Sequence, residues 1–583
     1  MQNNIIELIF PRYQNASLVA SCNHPPQHTG AIASQDGGFE VAGFCPNGHY
    51  RILSRKSGRM VDLAPTQLGK ATLFAQLGMS YCMKNYSTQH PKTGRAIFDL
   101  DLLINSIRQG CDDFGPANLE AVRGPGLYLD EAQLVVNYGN AVYDHDGLPI
   151  STKPTNTRAY VQGEGLGFTW ETPCASQADV DLVEQAFESF AFEQPWGAAA
   201  SLGWFASSTL GAVLPNSPSV ILTATKGSGK STWVSLQTTL LGPQAILRDG
   251  VPSVPQVLHA VSEKSVTLIC DEFEPLKRTK SQMENLAEVF NSGFTKSPGK
   301  AKFTRVMGGT LKYFNPPAGV ALCGINVPDL DDALESRSVR LSMVHKIRTG
   351  ESKSALLGSD NHESVQYLGA RLRRLLISRW QVIRDTRLSI HKMLQDIGHT
   401  DRFADTHSPL VAGYVGLKHE TVPDAPTLQS LLHQWELDAV KPDTQDLPSE
   451  ACLNTLLDRK AVFHIVVAEA FEKTHLRLRD AIRIVVSLQR DPEPLRNLER
   501  QLGGLGVRPM LDASTGAWRL AVASSRDHVG IRQIFTGSAW ARGGWKDTLL
   551  RLPSAVNGQA RLAGDSVKVV WVVLPDSVAN PLP

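Results

Sequence analysis

Over the first 190 residues the apolar positions come in short alternating runs broken by Gly, Pro, Asn and Asp. "GPGLYLDEAQLVVNYGN" sets two such runs around an acidic turn and predicts a β-hairpin within a mixed, β-rich amino-terminal region. The period changes near residue 177. "QADVDLVEQAFESFAFEQ" repeats its apolar residues every three to four positions, as an amphipathic helix does. The uncharged stretch from Pro195 to Thr225 reads as a buried helix, Trp196 to Leu214, followed by a core strand. From there helices and apolar runs alternate, which is the order of a parallel α/β sheet. After Leu341 the chain turns helical, and "HESVQYLGARLRRLLISRWQVIRDTRLSIHKMLQDI" is its longest such segment. "VKPDTQDLPSE" (440–450) predicts a linker. The tail reads as helices followed by strand pairs, each a winged-helix-like element. The expected division is therefore 1–176, an α/β core over 177–350, a helical lid over 351–440, and a carboxyl-terminal region over 451–583.

Composition narrows the class without choosing a partner. With 583 residues, 42% hydrophobic and 20% charged, the chain is long enough for several buried cores and has the makeup of a soluble globular protein. Lys and Arg number 58 against 57 Asp and Glu, so any affinity for nucleic acid must come from a local surface. Eight scattered cysteines do not form a disulfide framework, and "MQNNIIELIFPRYQ" lacks the charge and cleavage pattern of a signal peptide. A cytoplasmic location is expected. The Pro195–Thr225 stretch carries Gly, Ser, Asn and Pro residues, which argues against a membrane span.

The chemistry concentrates around "VILTATKGSGKSTW" (220–233). This fits the phosphate-loop pattern G-x-x-x-x-G-K-[ST], except that Ala224 stands at the first glycine. The backbone from Lys226 through Gly227, Ser228 and Gly229 to Lys230, Ser231 and Thr232 would cradle the phosphates of ATP. Lys230 would reach the outer phosphates, and Ser231 would hold Mg²⁺. "SVTLICDEFE" supplies a second apolar strand ending in Asp271, for the Mg²⁺ shell, and Glu272, for the attacking water. "GVALCGIN" ends a third strand on Asn326, a candidate sensor of the γ-phosphate. In "DLDDALESRSVRLSM", Arg337 first and Arg340 second are candidates to reach a neighbouring subunit's nucleotide.

In that order, the GSGKS loop, the CDE and GIN strand ends and the "LESRSVRL" box resemble the ring-forming helicases of superfamily 3, with their poxvirus- and phage-type relatives, within the AAA+ class. The resemblance covers about 190–350 and extends weakly to "GGWKDTLLRLPSA" and the final strands. It implies an AAA+ core, a hexameric ring and ATP-driven movement along single-stranded or forked DNA, in a phage, plasmid or prophage element. In related rings a hairpin between the second and third strands projects into the channel. Here "FTRV" and "LKYF" flank a glycine-containing turn, and Lys296, Lys300, Lys302, Arg305 and Lys312 would line it for backbone contact. The alternative is an AAA+ assembly switch in defence or regulation, in which ATP orders a ring without unwinding.

Three further features complete the reading. The long helical segment carries Arg371, Arg373, Arg374, Arg379, Arg384, Arg387 and Lys392, read either as a surface for DNA or a neighbouring subunit or as a solvated face. Arg519 and Arg551 in the winged elements are candidates for duplex contact. Cys22, His24, His28, Cys45 and His49 form two clusters that raise the possibility of zinc, although their spacing is atypical. Asp99 and Asp101 read as a polar strand face without the further ligands that two-metal chemistry needs.

Overall fold

The computed structural model describes residues 30–261, 264–274, 280–295, 303–307, 310–325, 327, 332–344, 356, 362–439, 448–467, 470–487, 492–525, 527–536, 538, 540 and 544–579. It divides into two compact units, Met1–Ala439 and Val440–Pro583.

In the first unit, strands β1 (Phe39–Phe44), β2 (Tyr50–Ser54) and β3 (Arg59–Leu63) form an antiparallel meander. Asp99 and Asp101 belong to a helix and not to a strand. Asp99 caps Leu100–Phe114, accepting from the Leu102 amide at 3.0 Å, and Asp101 lies in its first turn. The apolar run there has the 3.6 period that buries Leu103, Ile107 and Cys111 on one stripe. The predicted hairpin is present as β4 (Gly126–Asp130) and β5 (Gln133–Asn137), followed by β6 (Val142–Asp144). Its two-residue connection, Glu131–Ala132, has positive φ at both positions, as the tight turns that suit the strands' twist require.

Helix α1 (Gln177–Glu188) opens with a capping box from Ser176 and Asp179. Helix α2 (Gly197–Thr209) is buried on all sides, which explains its lack of charge. Residues 127–175 share one hydrophobic core with residues 180–437, so packing does not divide at 176/177.

The central sheet is built from β7 (Ser219–Ala224), β8 (Ala245–Asp249), β9 (Thr267–Asp271), β12 (Gly319–Gly324) and β13 (Ser338–Met343), with helix α3 (Lys230–Leu241) following β7. A hairpin of β10 (Phe303–Met307) and β11 (Thr310–Phe314) stands between β9 and β12 in sequence. The strand order is β8-β9-β12-β7-β13, every pairing parallel. Helices flank the sheet, as its near-continuous apolar strands demand. The described residues of the first unit thus form a mixed α/β fold with the parallel sheet that a P-loop-like core requires. Trp233 of α3 is fully buried 5.8 Å from Trp204 and donates its indole N–H to Ser201 at 3.0 Å. Burial of this kind contributes about 3 kcal/mol and seats the helix that carries the loop.

The 362–397 segment is two helices, α4 (His362–Ser378) and α5 (Trp380–Ile397), broken at Arg379. The Arg379 guanidinium donates to the Gly416 and Leu417 carbonyls at the end of α6 (Asp401–Lys418). Helices α2 and α6 approach closely at Gly203 and Gly413. A Cβ at Gly203 would stand 2.4 Å from the Leu410 carbonyl oxygen, so nothing larger fits.

In the second unit, β14 (Lys460–Val467) and β15 (Ala470–Arg477) form a separate antiparallel ribbon, and helix α7 (Pro492–Gly504) follows. The two expected wings are one sheet: β16 (Val507–Leu511), β17 (Trp518–Ala523), β18 (Val556–Leu562) and β19 (Asp565–Val573) run in the order β16-β17-β19-β18. The β17–β19 pairing joins the hairpins, because an isolated two-stranded hairpin is marginal while four strands bury a common face. Among the described residues no helix is long and apolar enough to cross a membrane.

Candidate nucleotide site

Ala224 is the last residue of β7, buried and paired with Met343, so the position needs no glycine. The loop leaves the sheet only afterwards: the Thr225 amide still donates to the Met343 carbonyl at 3.2 Å, and the Ser228 amide donates to the Thr225 carbonyl at 3.1 Å. Gly227 and Gly229 both have positive φ, 81° and 100°, and Gly229 caps α3. At Gly229 a second constraint adds to the first, since a Cβ would meet the Phe190 ring at 3.2 Å. Thr225, Lys226 and Gly227 are exposed, as are Ser231 and Thr232 in the first turn of α3, while Ser228, Gly229 and Lys230 are half-buried. The loop therefore presents backbone amides, two hydroxyls and a helix amino terminus outward, the donor set for a polyphosphate. The Ser228 hydroxyl oxygen is buried and meets no hydrogen-bond partner among the described residues.

Strand β7 has β12 on one side and β13 on the other, so the chain switches direction across the sheet beside the loop. Ligands of open α/β sheets bind at the carboxyl ends of strands at such a point. The second acidic element reaches the same place. Although β12 separates β7 from β9, the Lys230 ammonium donates to the Asp271 carboxylate, both side chains being largely shielded from water. The Asp271 carboxylate also accepts from the Glu272 amide at 2.8 Å, and its carbonyl accepts from the Gly250 amide at 2.7 Å. Glu272 is exposed and has φ 51°, a left-handed conformation that is costly for a residue with a Cβ. The hydrogen bond from the Phe273 amide to the Cys323 carbonyl, 2.8 Å, keeps the segment beside β12. Burial pushes the Cys270 thiol up to about 12 and the Cys323 thiol well above its ordinary value, so both are inert lining.

Asn326 lies outside the described residues. Just before it, the Ile325 amide donates to the Glu274 carboxylate at 3.3 Å, tying the end of the third strand to the acidic segment. Sequence reasoning gave Glu274 no role, although it stands within "CDEFE". Phe190 was missed because nothing local marks it: residues 191–194 run antiparallel along β13, with the Glu193 amide on the Ser342 carbonyl and the Gln194 amide oxygen accepting from the Ser342 amide.

Arg337 lies at the opposite end of the sheet from the loop. Its carbonyl accepts from the Ser219 amide at the start of β7, five residues and roughly 17 Å along the strand from Ala224. Its guanidinium donates to Asn291 and to the Ala333 carbonyl and rests 5.7 Å from the Phe294 ring centre. Arg340 makes a two-pronged ion pair with Glu335. Neither belongs to this chain's own phosphate cradle. Lys296, Lys300 and Lys302 lie outside the described residues. Arg305 and Lys312 are register partners in the β10–β11 hairpin.

The basic helix is corrected. Arg373 is fully buried, donating to the Leu166 carbonyl and Gln244 against the Phe168 ring, and Arg374 is buried with its guanidinium 3.6 Å from the Trp170 ring centre. Arg371 pairs with Asp179 at 2.9 Å, and Arg387 is buried. The Arg371, Arg373 and Arg374 guanidiniums bind the 166–179 segment to the helical bundle, and, with buried Arg387, do not form a surface for DNA. Arg519 is tied to Asp512 and the Ser554 carbonyl. Cys22, His24 and His28 lie outside the described residues. Cys45 and His49 close the β1–β2 turn, the Cys45 amide donating to the His49 carbonyl, and burial beside Asp62 pushes the Cys45 thiol up to about 11. Among the described residues no group of three or more His, Cys, Asp or Glu is arranged to hold a metal.

No family model matches the chain, and no curated protein matches it. Among solved structures it is similar to an apo NrS-1 C-terminal region, at 11% identity and TM-score 0.30, covering 76% of this chain and 97% of that one. A second NrS-1 C-terminal structure, residues 305–718, gives 9% identity, TM-score 0.32 and coverage of 92% and 96%. An inhibitor-bound JCV helicase gives 14% identity, TM-score 0.22 and coverage of 41% and 66%. At these scores the likenesses carry no weight beside the geometry of the site.

Proposed function

We propose that the protein is an ATP-driven, ring-forming DNA helicase of a phage, plasmid or prophage element. The observation that carries this reading is the contact of Lys230 with Asp271, which brings the phosphate loop and the acidic strand end to one place at the switch point of a parallel sheet.

The residues present suit a magnesium–triphosphate. The amides of Lys226 to Ser231 and the Lys230 ammonium would neutralise the phosphates, with the Ser231 hydroxyl and the Asp271 carboxylate holding Mg²⁺. When bound, the metal supplies charge neutralisation on the phosphate oxygens. Glu272, exposed beside Asp271, orients the attacking water and accepts its proton. Arg337, too far along the sheet to serve its own loop, is suited to the next subunit's nucleotide, which makes hydrolysis depend on a ring of six. Arg305 and Lys312, with Lys296, Lys300 and Lys302, would track the backbone of single-stranded DNA in the channel.

Strand displacement on forked DNA tests the reading. The parent should unwind with ATP and Mg²⁺, and Glu272→Gln should bind nucleotide but unwind at least about 100-fold more slowly. Hydrolysis without displacement by the parent would replace the motor with an assembly switch.

A further inference from the structure

We propose that the exposed face of the β14–β15 ribbon in the second unit binds the phosphate backbone of duplex DNA, independently of the nucleotide site. Residues directly opposite each other in an antiparallel pair share a face. The register pairs Lys460 with Arg477, Val462 with His475 and His464 with Lys473. All six are exposed, whereas Phe463 between them is fully buried and Ala461 and Leu476 pack against the core. The ribbon thus has a dry face and a wet one, and the wet one carries three permanent cations and two imidazoles. Glu472, paired with Ile465, falls at the alternate positions.

At the foot of the ribbon a cleft of about 530 Å³ is lined by Asp458, Arg459, Lys460 and Arg477. Among its described lining residues Asp458 is the one carboxylate, and it is shared between Arg477 at 3.6 Å and Arg479 at 2.7 Å. Cations therefore outnumber anions there. Like charges set directly across a ladder destabilise the sheet that holds them, so Lys460 opposite Arg477 is unfavourable for the fold alone and favourable once a polyanion lies across it. The ribbon is also braced: Gln501 of α7 accepts from the His464 amide at 2.8 Å and donates to its carbonyl at 2.9 Å.

The shape of the ribbon chooses the partner. A two-stranded ribbon is an element that the major groove of B-form DNA admits, whereas the deep, narrow groove of duplex RNA does not.

The test is fluorescence anisotropy of the full chain with a short blunt-ended duplex, in EDTA without nucleotide, over a salt series. For the variant Lys460→Gln/Lys473→Gln/Arg477→Gln, the dissociation constant should rise at least about tenfold and the slope of log K against log salt should become shallower by roughly 2–3. Oligo-dT binding and basal ATP hydrolysis should be unchanged, and the melting temperature should not fall. Lys460→Arg/Lys473→Arg, which keeps the charge, should retain the parent's slope. An unaltered duplex slope in the triple variant would overturn the proposal, as would equal losses on duplex and oligo-dT. Loss of binding to a polyglutamate peptide with duplex binding intact would assign the face to an acidic protein instead.

Discussion

The Lys230 ammonium rests on the Asp271 carboxylate although β7, which leads into the loop, and β9 are not neighbours: β12 runs between them. On the proposed function, a nucleotide's phosphates would take that lysine from the carboxylate, and Mg²⁺ would replace it there. Asp271→Asn should then free Lys230, so that ADP without Mg²⁺ binds about fivefold more tightly, the ~1 kcal/mol of such an ion pair. Hydrolysis with Mg²⁺ should be lost. Fluorescent ADP titrated with and without EDTA checks both, and weaker binding in EDTA would contradict the competition.

Glu272 holds φ at 51°. Glu272→Gly should therefore stabilise the chain by about 1 kcal/mol in urea unfolding while abolishing hydrolysis. Glu272→Gln should abolish hydrolysis with no such gain. A destabilised glycine variant would show that the conformation is not strained.

Arg337 stands at the far end of the sheet from the loop of its own chain, so the role proposed for it at a nucleotide would be exercised in trans. Lys230→Ala and Arg337→Ala should each be inactive alone. Mixed in equal amounts, they should recover activity, since random mixing leaves roughly a quarter of interfaces with both residues intact. No recovery after subunit exchange would count against a shared site.

Helix α6 buttresses the turn before β13, the Thr406 hydroxyl donating to the Ser336 carbonyl at 3.0 Å. In the next position, burial pushes the His407 imidazole down to about 4, with Nδ1 on the Phe403 carbonyl and the ring stacked 4.0 Å from Phe403. The unfolded chain takes up this proton near pH 6.5 while the folded chain resists it, so stability falls from about pH 6.5 towards pH 4. The loss should reach at most roughly 3 kcal/mol. His407→Gln should flatten that part of the urea-stability profile, and an unchanged profile would place the acid sensitivity elsewhere.

Much of the site is legible in the sequence because buried parallel strands write themselves as unbroken apolar runs. Those at 220–222, 266–270 and 319–323 end within two residues of the strand ends at Ala224, Asp271 and Gly324. Ala224 itself is explained only by the ladder, which shows that the position is strand and not loop. What escaped the sequence depends on partners far away in the chain. Arg373 is buried because Leu166 and Gln244 offer it oxygens across 207 and 129 residues, and no local pattern carries that information. The single four-stranded sheet of the second unit likewise rests on the long-range β17–β19 pairing. Asp99 was misread because an apolar run as short as "AIFDLDLL" satisfies both a strand's period and a helix's.

The central claim is that one triphosphate is gripped between the loop at Lys230 and the carboxylate of Asp271. Equilibrium binding of a fluorescent ATP analogue with Mg²⁺, comparing the parent with Lys230→Ala, tests it most directly. Removal of the lysine should weaken binding at least about 30-fold, the 2 kcal/mol or more of a buried charge contact. Equal affinity of the two proteins, or no binding by the parent, would contradict it.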